Sequence, residues 1–219
     1  MKISKWHLDL QKLSLTGAIL ILWSLISAPA FAHHPLDGRL PANFFEGIMS
    51  GFGHPILGLD HLAFVVAIGL MAFGLTQGFL VPIAFVLATG IGAGIHLAAI
   101  DLPIPELIIA ASVVLSGIFL LVKGRNQTGL NYTKLVAAFV GFAGLFHGFA
   151  YGEGIFGAEA TPLVAYLIGF TLIQLVISLI AYGFASRLSR AISTQNLARF
   201  AGAAIAVIGM SFLSSAVFG

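Results

Sequence analysis

Six stretches of the chain, near residues 55–75, 79–100, 104–122, 135–152, 162–185 and 199–217, carry almost no charge. Each is about as long as a helix must be to cross a ~30 Å hydrocarbon core. The connections are short apart from Lys123 to Lys134, so residues 33–219 read as a single all-α domain, a polytopic membrane bundle of six transmembrane helices. With 59% hydrophobic and 8% charged residues and a mean hydropathy of +1.05, the chain is an integral membrane protein whose partner is the lipid bilayer. There is no room for a soluble catalytic domain, and a net charge of +2 with its basic residues at membrane edges excludes a nucleic-acid surface.

Residues 1–32 read as a cleaved signal peptide: Lys2, Lys5 and Lys12 precede an apolar run from Leu13 to Ile26, and Ala30-Phe31-Ala32 has the small-residue cleavage pattern. The alternative, an uncleaved first membrane helix, asks a run short of ~20 residues to span. Cleavage after Ala32 exposes His33-His34 at a new N-terminus, which is either a weak cation trap or a polar tail. Cytoplasmic loops carry the excess of Lys and Arg. An extracytoplasmic N-terminus puts Lys123, Arg125, Lys134, Arg187, Arg190 and Arg199 inside and Arg39 alone outside, with the C-terminus also extracytoplasmic. Asp37, Glu46, Asp101, Glu153 and Glu159 then face outward, with Glu106 just below that surface. Such an acidic face either concentrates cations before uptake or merely follows topology.

Against this apolar background the run His54-Pro55-Ile56-Leu57-Gly58-Leu59-Asp60-His61 stands out, because ionisable groups at membrane depth are costly unless they face a partner or a site. Pro55 suits the first turn of a helix. On that helix the seven-residue spacing places His54 and His61 on nearly one face, His54 at the mouth and Asp60-His61 nearly two turns inside. At 1.5 Å per residue His61 lies ~9 Å inward from Pro55, while His96 and His147 lie ~7.5 Å from Asp101 and Gly152. Three imidazoles at one level are expected to share a site, although a single membrane histidine serves as well as a buried hydrogen-bonding group.

With no cysteine in the chain, imidazole and carboxylate are the strong ligands present, a set suited to Ni²⁺, Co²⁺ or Zn²⁺. Asp60 either ligates or fixes the tautomer of a neighbouring imidazole. Glycines around His96 and along the helix of His147 allow close helix approach, which a shared site needs and ordinary packing also uses. Glu106 is a weaker candidate. Gln174, at mid-membrane, either lines an inner path or bonds across helices, with the second favoured. A Gly-Phe…His pattern in the first and fourth segments hints at an inverted repeat.

The His-Pro-x-x-Gly-x-Asp-His run, with Phe146-His147-Gly148 and the Gly152-Glu153 that follows, resembles the HupE/UreJ family of membrane proteins associated with nickel and cobalt uptake. A larger nickel/cobalt permease class uses His-x4-Asp-His; the His-x5-Asp-His spacing here points to the smaller family. The resemblance implies a secondary transporter that imports Ni²⁺ or Co²⁺ across a bacterial-type inner or plasma membrane, with no prosthetic group. The expected metal residues are His54, Asp60, His61, His96, His147 and Glu153, the last through the resemblance, with His33 and His34 as a possible first contact. The alternative is an accessory protein that supplies nickel or cobalt to a metalloenzyme assembly pathway without moving it across the membrane. No Gly-x4-Gly-Lys-Ser/Thr loop is present for ATP hydrolysis and no His-Glu-x-x-His run for metalloenzyme chemistry, so the chain is not expected to be an enzyme. A bis-His haem protein is the weakest reading.

Overall fold

A computed structural model describes residues 39–123, 129–191 and 193–219; the expected signal peptide, His33, His34, Asp37 and Arg125 lie outside these residues. The described chain is all helical: α1 (Phe44–Leu57), α2 (Leu59–Ala72), α3 (Leu80–Leu97), α4 (Pro105–Val122), α5 (Leu130–Glu153), α6 (Ala160–Leu188) and α7 (Thr194–Phe218). Five of these are long and apolar enough to cross a membrane. The pair α1 and α2, bent by 81° at Gly58, has the length and hydropathy of a sixth, as a broken span or a re-entrant loop.

That bend corrects the expectation of one helix opening at Pro55. Pro55 lies in the last turn of α1, not the first turn of a longer helix, and the chain is already helical eleven residues earlier. Asn43 caps α1 by accepting the Glu46 N–H at 2.9 Å, while the Glu46 carboxylate accepts the Ala42 N–H and the Arg39 guanidinium. This is a capping box with its return bond displaced by one residue. Proline withholds an N–H and crowds the preceding turn. The Gly58 N–H still closes onto the His54 carbonyl at 3.1 Å, and the chain leaves that turn extended to begin α2.

α2 is the central post. Phe64, Val65, Ala67, Ile68 and Met71 are wholly buried, as expected of a helix apolar all round. Glycine contacts hold the outer helices in pairs. Gly47 and Gly51 of α1 lie on Pro162–Phe170 of α6, and Gly69 of α2 lies farther along on Ser178 and Ala181. Gly144, Gly148 and Gly152 of α5 lie on Phe85–His96 of α3, and Gly117 of α4 on Gly202 and Ala206 of α7. A methyl group at Gly148 would meet the Thr89 backbone, so the helices approach at backbone distance.

Two of these pairs repeat one another. Gly47-Ile48-x-x-Gly51-Phe52 of α1 matches Gly144-Leu145-x-x-Gly148-Phe149 of α5, and Ala165-x3-Gly169 of α6 matches Ala88-x3-Gly92 of α3. The contacts match too: Gly47 meets Pro162 and Ala165 as Gly144 meets Phe85 and Ala88, and Gly169 meets Ile48 as Gly92 meets Leu145. This repeat in packing aligns Gly51-Phe52 with Gly148-Phe149, and so differs from the Gly-Phe…His pattern of the first and fourth segments.

Farther along the chain Lys123, just past α4, donates to the carbonyls of Met71 at 3.0 Å and Phe73 at 2.7 Å, closing the C-terminus of α2. Burial lowers its pKa to about 8.

Candidate metal centre

The bend at Gly58 brings together residues that one straight helix would hold apart. His54 ends α1, His61 begins α2, and their ring centres lie 5.6 Å apart at 77°. Gly58 is required for space: a Cβ there would sit 2.7 Å from the His61 ring and 3.3 Å from Asp60 Oδ1. His54 needs a second glycine, because a Cβ at Gly154 would lie 2.8 Å from its Nδ1.

Hydrogen bonds determine the protonation of these rings. Ser112 of α4 donates its one hydroxyl proton to the Ile109 carbonyl at 2.7 Å, so it can only accept from His147 Nε2, 3.0 Å away. His147 therefore carries its proton on Nε2 and presents a lone pair at Nδ1. His61 Nδ1, at 2.8 Å, must be the donor to that lone pair. This assignment leaves the lone pair of His61 on Nε2. His54 follows the same rule: Tyr166 donates to the Tyr151 carbonyl at 2.9 Å, so its oxygen accepts from His54 Nδ1 at 2.7 Å, leaving the lone pair on His54 Nε2. Each imidazole at the bend thus gives away its Nδ1 proton, the arrangement that holds a metal-ligating histidine in place.

The separation suits a shared ion. An ion ~2.1 Å from a ring nitrogen lies about 3.2 Å from that ring's centre, so two rings serving one ion have centres no more than about 6.4 Å apart. His61 and His147 are buried, and His147 stacks on Phe64 at 4.4 Å. Asp60, half-buried beside them, accepts the His61 backbone N–H at 2.8 Å in the first turn of α2, where a carboxylate is favoured by the helix dipole.

Not every expected ligand joins this group. α3 and α5 run parallel with His96 opposite Gly152, beyond His147, so the shared level expected for His96 does not hold. Its ring packs instead on Phe149 at 4.5 Å and Phe156 at 5.5 Å. Glu153 is exposed at the end of α5. Gln174 bonds to its own helix, Nε2 donating to the Phe170 carbonyl, rather than across to another. Among the described residues no three or more His, Asp or Glu side chains form a metal-binding group. The residues that sequence reasoning missed are Tyr166 and Ser112, which fix the tautomers, and Tyr151, whose ring lies 5.0 Å from His54 and 4.7 Å from His61. Tyr151 follows His147 by one turn of α5, a signal visible only once His147 is assigned to the site.

Comparison with known proteins agrees with the first resemblance. A family model described as HupE / UreJ protein matches residues 20–212. The protein HupE of Rhizobium leguminosarum bv. viciae is 31% identical over 171 residues, covering 77% of this chain and 85% of that protein. No solved structure matches. The chain belongs to the HupE/UreJ family, which is associated with nickel and cobalt uptake.

Proposed function

We propose that the chain is a secondary transporter that captures Ni²⁺ or Co²⁺ from the extracytoplasmic side at the α1–α2 bend and passes it inward. The observation that carries this reading is the pair of tautomer-fixed imidazoles, His54 and His61, each with its lone pair on Nε2. Imidazole suits borderline divalent ions. With so few protein ligands the ion is held loosely enough to leave, as transport requires and storage does not. A negative interior favours inward movement of a divalent cation by ~4.6 kcal/mol per 100 mV, so no ATPase is needed. The distribution of Lys and Arg supports extracytoplasmic termini in a bacterial-type inner membrane.

The test is uptake of radiolabelled nickel and cobalt by cells expressing the chain, compared with His61→Ala and His33→Ala at matched membrane abundance. The expected result is uptake above empty cells that His61→Ala abolishes and His33→Ala largely retains. Equal losses would make the terminal histidines the main site. If all cells match the empty control while the purified protein binds metal, the accessory role replaces transport.

A further inference from the structure

Three buried polar atoms have no hydrogen-bond partner among the described residues: His96 Nδ1, Gln174 Oε1 and the Tyr151 hydroxyl oxygen. Only Tyr151 packs its ring against both histidines of the bend. Its side chain is completely buried, and its other ring neighbour, Phe170 at 5.2 Å, offers no hydrogen-bonding group. A buried hydroxyl left without a partner lowers stability and is uncommon in folded proteins. A second observation points to the same place. First-row divalent ions fill their coordination shells with more donors than two imidazoles supply, and among the described residues no group of three or more His, Asp or Glu side chains forms to provide them.

We infer that Tyr151 is an unassigned binding residue of this site, its hydroxyl hydrogen-bonding a water that the ion retains when His54 and His61 hold it. The site then takes a partly hydrated ion rather than a bare one. Tyr151 supplies neither charge nor a direct bond to the metal. The inference rests on the transport reading's site, and the experiment separates their failures.

Tyr151→Phe removes one oxygen and keeps the ring. The purified full-length protein and its Tyr151→Phe and His61→Ala variants are titrated with Co²⁺ alone, and the metal-free forms are melted thermally. The expected result is that Tyr151→Phe weakens Co²⁺ binding about 10- to 100-fold, the value of a hydrogen bond to a charged group, and shifts the visible Co²⁺ bands. Its metal-free form melts at a higher temperature than wild type, because an unpartnered polar atom has been removed; a merely structural hydroxyl would give the opposite sign. Binding that depends on His61 but changes by less than about twofold in Tyr151→Phe overturns this assignment and leaves the site standing, as does a lower melting temperature of the metal-free variant. Binding indifferent to His61→Ala overturns both.

Discussion

At the scale of single residues, the chemistry depends on where two protons sit. His61 and His147 were legible in the sequence because an ionisable ring at membrane depth demands an explanation. Ser112 and Tyr166 were not, since a hydroxyl inside a membrane helix is common and usually bonds to its own backbone. Ser112 does that, donating to Ile109, and in doing so becomes the acceptor that fixes His147. Ser112→Ala should therefore cost more than one hydrogen bond. Stability is expected to fall by about 1–3 kcal/mol, because a buried imidazole N–H loses its partner. Metal affinity should drop about 10- to 100-fold, because the ring that orients His61 can change tautomer. Thermal unfolding and metal titration of the same preparation would measure the two effects. A variant that melts lower yet binds as tightly as wild type would show that the proton chain does not reach the metal ligand.

Among the elements, the all-helical architecture and its five unbroken apolar spans were readable from length and hydropathy, and the bend was not. The largely apolar stretch from Phe44 through Ala72 carries its polar groups on both sides of Gly58, so composition does not mark a break there, and Pro55 fits the end of one helix as well as the start of another. What breaks the span is the convergence of Pro55 with Gly58, and the identity of the residues facing each glycine is invisible in one dimension. Likewise His96 and His147 lie equally far from their chain markers but are out of step in space, because Asp101 lies four residues beyond the end of α3 while Gly152 is still inside α5. Glycine substitutions check these contacts. Gly148→Ala forces a methyl into the Thr89 backbone and should destabilise the bundle by about 3 kcal/mol or more. Gly94→Ala on α3 meets nothing within 4 Å and should be neutral or slightly stabilising, given the poor helix propensity of glycine. Gly154→Ala pushes on His54 Nδ1 and should weaken metal binding more than it lowers the melting temperature. Melting curves in detergent of all three variants, with metal titration of the last, provide the comparison.

For the molecule as a whole, the mostly apolar sequence sets the solvent and the central helix sets the order of packing. Lys123 joins the end of α4 to the end of α2 through two carbonyls, and its titration should be felt globally. Its pKa is about 8 in the fold against an ordinary 10.5, so between those values the unfolded chain binds more protons and stability rises with pH. The gain should be about 1–3 kcal/mol, allowing for partial exposure, and Lys123→Met should remove the pH dependence in thermal melts from pH 7 to 10.5. The bent first span has a consequence for synthesis. Neither α1 nor α2, at 14 residues each, is long enough to cross a bilayer alone, and both pack on α6, which the ribosome delivers more than a hundred residues later. The elbow is thus the first helical part of the described chain made and among the last to be held in place, so until α6 arrives it must wait as an unfinished segment open to quality-control proteases.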